Sequence, residues 1–244
     1  MRDLFIIIVF IFLFVFLYIR ISNTQSLEEI INKYIAARGG IDRLQSVKSV
    51  MMKGMRRTKG IDFNVTITKV QAELFRTDIE FQGNAGYQVV TPFKGWKYSV
   101  FDSYDPEEIP QHTLEPLKNE LDIFGPLVNY RAKGYKAKFL GKDILYDREC
   151  YKIRLISREK TELIYFIDCK TFLLLQSRKK LENYDRSFRN IPDVITNYRD
   201  YKNFDGILFP AIISTEGFGT ESDLLTFHTI KINIDVDERL YQPY

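Results

Sequence analysis

Apolar and polar residues alternate along most of the chain, and this period of two predicts β-strands. Ile61, Phe63, Val65 and Ile67 alternate with polar residues, which is typical of a strand that buries one face. Similar stretches recur at short intervals, and helical patterns do not regularly separate them, so we expect an antiparallel sheet. The alternation therefore predicts a mainly β fold of about eleven strands.

Two segments depart from this alternation and have the period of an amphipathic helix. The first begins after Ser26, and Glu29 stands three residues beyond this serine, as in a capping box. Gly39 and Gly40 end the pattern, because glycine readily adopts the backbone conformation that terminates a helix. The apolar residues that share one face of this helix are Leu27, Ile30, Ile31, Tyr34 and Ile35.

The second helical segment lies in the middle of the chain, between Pro106 and Pro126. Prolines at both ends mark it off from the strands before and after it. Its apolar residues fall on one side, so we expect a helix that covers part of the sheet. These residues are Leu114, Leu117, Leu121 and Phe124.

The N-terminus carries an uninterrupted apolar run. Every residue from 4 to 19 is apolar or tyrosine, and Arg2 and Arg20 flank the run, as in secretory signals. As a helix the run would span about 24 Å, less than the roughly 30 Å hydrocarbon core of a bilayer. We therefore predict a signal peptide in preference to a membrane anchor, and an uncleaved anchor stays open. Residues 1–26 are assigned to this segment and residues 27–244 to one domain.

Charge and composition exclude several classes of function. Lys and Arg total 35 and Asp and Glu total 32, which is too balanced for a protein that grips nucleic-acid phosphates. Two histidines and two cysteines are too few for a clustered metal site, and we expect neither a metal nor a cofactor. No nucleophile stands in a recognisable catalytic motif, so we predict no catalytic residues and a protein that is not an enzyme.

The two cysteines raise the possibility of a disulfide. If the strands near 150–157 and 161–168 form a hairpin that turns at Glu159 and Lys160, Cys150 and Cys169 face each other. An oxidising compartment would then permit a bond between them. Two separate, reduced thiols are the alternative.

Short segments spread over residues 27–244 carry a resemblance to a known family. Residues 37–44 (ARGGIDRL), followed by Val47, Ser49 and Gly54, begin the series. In this order and spacing, the segments resemble LolA-like outer-membrane lipoprotein-sorting proteins, in particular the Bacteroidetes type. The other segments that match are 93–98, 125–130, 150–153, 165–168, 200–202, 205–210, 232–233 and 240–243.

This resemblance implies an incomplete antiparallel barrel, a half-barrel, with helices across its open side and an apolar cavity for lipid acyl chains. Strand parity and helix spacing select candidate residues, although periodicity alone does not tell which sheet face is concave. The selected wall residues are Phe63, Val65, Ile67, Trp96 and Tyr98, and the selected residues of a mobile cover are Leu117, Leu121 and Phe124.

One position departs from the family pattern. In the best-known carriers, an arginine just before a proline holds the lid, and a Leu-Phe pair follows. Leu74 and Phe75 match that pair, but Gln71 and Ala72 stand where the Arg-Pro pair is expected. The lid contact of those carriers is therefore not transferred to this chain.

The resemblance implies a non-enzymatic envelope carrier that binds acyl chains of lipoproteins, or a related lipid, and carries them across the periplasm to the outer membrane. The expected partners are those acyl chains, an inner-membrane export machinery and an outer-membrane acceptor, with the carrier acting as a monomer. One alternative is an assembly or scaffold protein whose half-barrel binds a protein without lipid. A more remote alternative is a hydrolase of lipid-linked substrates, with His228 as the base.

Overall fold

The computed structural model describes residues 25–99, 105–180, 193–217 and 220–243. Residues 1–24, which make up most of the predicted signal peptide or anchor (residues 1–26), lie outside the described residues. In the part of the chain that is described, no helix combines the length and the apolar character needed to cross a membrane.

Thirteen antiparallel strands form one open sheet within these ranges. The strands are β1 (Ser49–Thr58), β2 (Ile61–Val70), β3 (Leu74–Phe81), β4 (Asn84–Val90), β5 (Gly95–Ser99), β6 (Glu107–Glu108), β7 (Lys136–Leu145), β8 (Arg148–Ile156), β9 (Glu162–Asp168), β10 (Leu174–Lys179), β11 (Val194–Phe204), β12 (Ile207–Gly217) and β13 (Thr220–Ile232). Two meanders, β1–β6 and β7–β13, meet where β1 pairs with β13. The predicted mainly β fold with an incomplete antiparallel sheet is confirmed, with thirteen strands among the described residues where about eleven were predicted.

Helix α1 (Leu27–Arg38) lies against one face of the sheet and contacts β7 and β12. Its start is confirmed as a cap, because the Ser26 hydroxyl accepts a hydrogen bond from the Glu29 N–H at 3.2 Å. Gly39, with φ at 130°, ends it, and the short helix α2 (Ile41–Ser46) follows. We call the sheet face that α1 covers the inner face and the opposite one the outer face.

The mid-chain helix is shorter than the spacing of its apolar residues suggests. Helix α3 (Gln111–Leu117) ends just after Pro116, a tighter 3-10 turn continues from Lys118 to Leu121, and Phe124 lies beyond both. Pro116 lies inside this helix, where it has no N–H to donate and its ring crowds the preceding turn, so it weakens the α-helix. The 3-10 turn nevertheless leaves the Leu121 side chain buried.

The inner-face core joins the two meanders to α1. Ile30 of α1 and Val50, Val65, Ile153 and Phe227 of the sheet all belong to one buried cluster. Each side chain of this kind stabilises the fold by roughly 1.5–3 kcal/mol when it is fully buried. The helix therefore fixes one part of the inner face and leaves the remainder free for a cavity.

The C-terminal segment packs on the outer face, where Arg76 holds it. This arginine is fully buried, pairs with Asp78 at 2.7 Å, and donates from Nη1 to the Leu240 carbonyl oxygen at 3.2 Å. Its guanidinium carbon also lies 4.6 Å from the ring centre of Tyr87. The outer face of β3–β5 is thus occupied by the protein's own C-terminal residues.

The seam between β1 and β13 requires a glycine. The register shifts between Lys53, which pairs with Thr229, and Gly54, which pairs with Phe227. A Cβ added at Gly54 would overlap the carbonyl oxygen of Thr226. The backbones can approach this closely only where no side chain stands between them.

We expect Gly54→Ala to lower the free energy of unfolding by about 3 kcal/mol, because the added methyl group forces the two seam strands apart. Gly60→Ala is the matched control: no atom lies within 4 Å of its added Cβ and its φ is +74°. Only the positive φ disfavours alanine at this position, so we expect Gly60→Ala to lower the free energy of unfolding by about 1–2 kcal/mol. Chemical denaturation compares the two variants, and equal losses would contradict the close approach at the seam.

Candidate binding cavity

A cavity of about 1430 Å³ opens on the inner face, between the strands, the C-terminal end of α1 and the mid-chain segment. Ligand pockets commonly measure about 300–1,000 Å³, so this cavity has room for a large ligand. Its apolar walls come from both meanders. The apolar wall residues that matter most below are Val65, Ile67, Ile79, Ile213, Leu225 and Phe227.

The strand register explains why these residues share one face. Val65 pairs with Ile79 across β2 and β3, and Ile213 pairs with Leu225 across β12 and β13. Residues directly opposite each other in an antiparallel pair point to the same side of the sheet. The alternation along each strand therefore becomes a continuous apolar wall once the strands pair.

Residues 111–124, which we call the cover, lie along the cavity and are attached to the β2–β3 turn. The Ala72 N–H donates to the Leu121 carbonyl oxygen at 3.0 Å. The Gln71 side-chain carbonyl oxygen accepts a hydrogen bond from the Ile123 N–H, also at 3.0 Å. Gln71 and Ala72, which depart from the family pattern, therefore hold the cover through hydrogen bonds of their own.

An ion pair inside the cavity also joins the cover to β2. The Lys69 ammonium lies 3.0 Å from a Glu120 carboxylate oxygen, and the Lys69 side chain is only 11% exposed. Glu120 projects into the cavity, where half of its side chain is accessible although protein atoms surround it. The charge of Lys69 is the main cause that lowers the pKa of Glu120, and burial opposes it. The pair is therefore a charged contact between cover and sheet.

Several residues selected from the sequence border this cavity. Val65 and Ile67 line it from β2, and Leu121 and Phe124 line it from the cover. Leu117 also belongs to the cover, but its side chain packs against the buried cluster that contains Leu114 and does not line the cavity. The spacing of the cover residues thus identifies the segment correctly, whereas only part of it reaches the cavity.

Of the three aromatic residues selected for the wall, Phe63 and Trp96 lie elsewhere and Tyr98 only borders the cavity. Phe63 shares its strand parity with Val65 but packs against Phe81, with 5.3 Å between ring centres. Trp96 packs with the outer-face cluster of Tyr87. Tyr98 reaches the cavity border, yet its ring lies 5.5 Å from that of Tyr87 and joins the same outer cluster. The alternation of residues has the same period on both faces of the sheet, so it cannot predict which face lines the cavity.

The cavity wall also contains a group of polar side chains that the sequence patterns do not identify. We call this group the donor cluster. It contains one arginine from the end of α1 and tyrosines from α1, β9 and β11. Because these elements are distant in sequence, only the four-residue spacing of the two α1 members gave any signal. The members are Tyr34, Arg38, Tyr165, Tyr198 and Tyr201.

The two cysteines are free thiols. The register assumed for their hairpin is wrong by one residue, because Cys150 pairs with Asp168 and Cys169 follows it. Neighbouring residues of a strand point to opposite faces, so the two thiols are not cross-strand partners. Cys150 is buried in an outer-face cluster with Phe166, and burial is the main cause that raises its pKa to about 11.

No family model matches this chain, and no curated protein matches it either. Solved structures do match. A LolA superfamily protein from Nitrosomonas europaea aligns with a TM-score of 0.57 and 14% identity, over 90% of this chain and 98% of the other. The chain shares the fold of this LolA superfamily protein.

Two further structures agree with this LolA-superfamily fold. A putative outer membrane lipoprotein-sorting protein domain from Vibrio parahaemolyticus aligns with a TM-score of 0.56 and 12% identity, over 87% of this chain and 94% of that one. A DUF1329 family protein from Desulfovibrio piger aligns with a TM-score of 0.53 and 10% identity, over 90% and 98%. At these identities the likeness concerns the fold, and it confirms the resemblance at that level.

Acid is expected to loosen the cover. Lys69 lowers the pKa of Glu120, so their ion pair stabilises the attached cover fully at pH values above 4.5, the ordinary pKa of a glutamate. The stabilisation is lost as the pH falls through the lowered pKa of Glu120. Glu120→Gln should remove this part of the pH dependence. Hydrogen–deuterium exchange of residues 118–124, corrected for the intrinsic effect of pH, measures it.

Glu115→Gln is the control for this experiment. Glu115 pairs with Lys118 at 2.9 Å within the cover itself, so its loss leaves the contact with β2 in place. This variant should keep the acid response of the parent protein. An acid response that survives in Glu120→Gln would show that the Lys69 pair does not attach the cover.

Proposed function

We propose that this protein is a non-enzymatic carrier that shelters the acyl chains of lipoproteins, or of a related lipid, in the inner-face cavity. The observation that carries the proposal is the cavity itself, with about 1430 Å³ of space, apolar walls from both meanders and a cover along its side. Each methylene group moved from water to such a wall contributes about 0.8 kcal/mol. The sum of these contributions keeps an acyl chain of ordinary length bound while the protein crosses an aqueous compartment.

The attachment of the cover suits a carrier that must also release its ligand. Two hydrogen bonds, at Gln71 and Ala72, and the Lys69–Glu120 ion pair join the cover to the sheet. Hydrogen bonds and partly exposed ion pairs each contribute only about 1 kcal/mol. These polar contacts are therefore weak enough for a partner to replace, and the partner must also displace the buried apolar contacts of Leu114 and Phe124.

The polar groups that most resemble catalytic residues do not form a catalytic arrangement. His228 is exposed on β13, and its Nδ1 lies 3.1 Å from the Thr229 hydroxyl. Ser177, which lies in the cavity wall, shares a hydrogen bond with the Tyr198 hydroxyl at 3.1 Å and not with a base. A serine nucleophile needs an adjacent base, so these contacts support binding rather than hydrolysis.

We propose that the carrier acts in the periplasm as a monomer. Its N-terminal segment, residues 1–26, would direct export, and residues 4–19 would tether the protein to the inner membrane if they are retained. An inner-membrane export machinery would load the cavity and an outer-membrane acceptor would empty it. The lipoprotein-sorting domain from Vibrio parahaemolyticus, which has the same fold, supports this role.

Native mass spectrometry of the protein purified without detergent from its own cells tests the proposal. We expect lipid or acylated peptide to accompany the parent protein and to be lost in Leu121→Glu, because a carboxylate in the wall penalises a buried acyl chain. Ile144→Glu is the matched control: Ile144 is 73% exposed and lies outside the cavity wall, so this variant should keep its lipid.

A cavity-filling variant guards against a folding defect in Leu121→Glu. Ile213→Trp places a larger apolar side chain in the wall, so it should reduce uptake of a fluorescent fatty-acid probe without lowering thermal stability. A parent protein that carries no lipid and takes up no probe would contradict the carrier. That result would favour a scaffold that binds a protein.

A further inference from the structure

Arg38 is a buried cation that faces the cavity and has no acidic partner in the part of the chain that the structure describes. It is 6% exposed, its Nε donates to the Leu208 carbonyl oxygen at 2.7 Å, and its Nη1 donates to the Tyr34 hydroxyl at 2.9 Å. Among the described residues, no carboxylate forms an ion pair with it. Part of the guanidinium fork is therefore left without an acceptor, which is costly for a buried charge.

Aromatic rings hold the guanidinium in place without supplying that acceptor. Its carbon lies 5.6 Å from the ring centre of Phe124 and 5.7 Å from that of Phe209. Such cation–π contacts and the C-terminal end of α1 both favour a positive charge here. They lower the cost of burying this guanidinium in the wall, but within the described residues they supply no acceptor for its remaining N–H groups.

The tyrosines of the donor cluster add hydroxyl groups to this charge. Tyr165 is 7% exposed, and its hydroxyl has no hydrogen-bond partner among the residues that the structure describes. Burial raises the pKa of Tyr198 to about 12 and that of Tyr165 well above its ordinary value, so both hydroxyls keep their protons. The charge of Arg38 acts on Tyr198 in the opposite direction, which is consistent with their proximity.

We propose that the donor cluster binds the anionic oxygen group of an amphiphile, a carboxylate or a phosphate, whose apolar chain occupies the rest of the cavity. This inference rests on the proposed carrier function and names the chemical class of its ligand. The guanidinium fork of Arg38 matches two oxygens of such a group, and the Tyr165 hydroxyl, which has no partner among the described residues, donates a further hydrogen bond to it. The apolar walls of both meanders hold the chain.

A wholly apolar ligand fits this end of the cavity less well. A hydrocarbon chain placed against Arg38 and Tyr165 would exclude water from donors that have no protein acceptor, and each such donor would lose its hydration without compensation. An anionic group satisfies both donors and the charge together. The chemistry of the cluster thus favours a head group that enters the cavity.

Three ligands with the same chain test the proposal: hexadecanoate, hexadecyl phosphate and hexadecanol. Each displaces a neutral fluorescent probe from the full-length protein. We expect at least one anionic ligand to bind about tenfold more tightly than hexadecanol, as a charge-assisted hydrogen bond predicts. The two anionic ligands distinguish a carboxylate from a phosphate, and free inorganic phosphate shows whether the anion alone binds.

Variants of the donor cluster locate the effect. Tyr165→Phe should reduce the preference for the anion several-fold without lowering thermal stability, because this hydroxyl has no hydrogen-bond partner among the described residues. Arg38→Met should abolish the preference, and Arg38→Lys should restore part of it, since lysine keeps the charge but not the fork. Arg57→Met is the charge-matched control, because Arg57 pairs with Asp62 away from the cavity wall.

The outcomes separate the two proposals. If the parent protein binds none of the three ligands, the carrier function fails. If it binds all three equally, the carrier stands and the anionic ligand is overturned. If Arg38→Met lowers thermal stability and weakens all ligands alike, Tyr165→Phe decides: an unchanged anion preference in that variant would overturn the proposal.

Discussion

The pairing of β1 with β13 is the contact on which the rest of this fold depends. The two strands come from opposite ends of the domain, and they join two meanders that would otherwise end in unpaired edges. A pairing of such high sequence separation carries a large loop-closure cost before its contacts form. The cavity inherits this dependence, because Val65 and Leu225 lie on different meanders and share a wall only through the seam.

An open sheet also leaves its inner face to be covered by other elements. In a small closed barrel, side chains from all strands fill the interior. Here Ile30 and Tyr34 of α1 fill only one part of the inner face, and the cover lies along another. The outer face of β3–β5 is covered by the C-terminal segment that Arg76 holds. Helix α1 and the cover are together smaller than the inner face of the sheet, so part of that face stays uncovered and forms the cavity.

Local patterns predicted local structure well and tertiary placement poorly. Alternation identified the strands, and Ser26 with Glu29 identified the start of α1, because each depends on neighbouring residues. Whether Trp96 faces the cavity depends on which face of the sheet the C-terminal segment covers. The sequence of a single strand does not determine this. The offset between Cys150 and Asp168 likewise depends on the turn geometry between β8 and β9. The donor cluster could not be predicted, because its members come from three distant elements.

The charged groups of the cavity fall into two kinds, and the difference follows from their partners. Lys69 and Glu120 compensate each other across the junction of cover and sheet, so their charges stabilise a contact within the protein. Arg38 lies among aromatic rings and hydroxyl groups that lower the cost of its burial without neutralising it. A charge of the first kind already has its partner within the protein. The proposed anionic ligand would supply the acceptor that a charge of the second kind lacks among the described residues, and an apolar wall that holds such a charge would then select among amphiphiles.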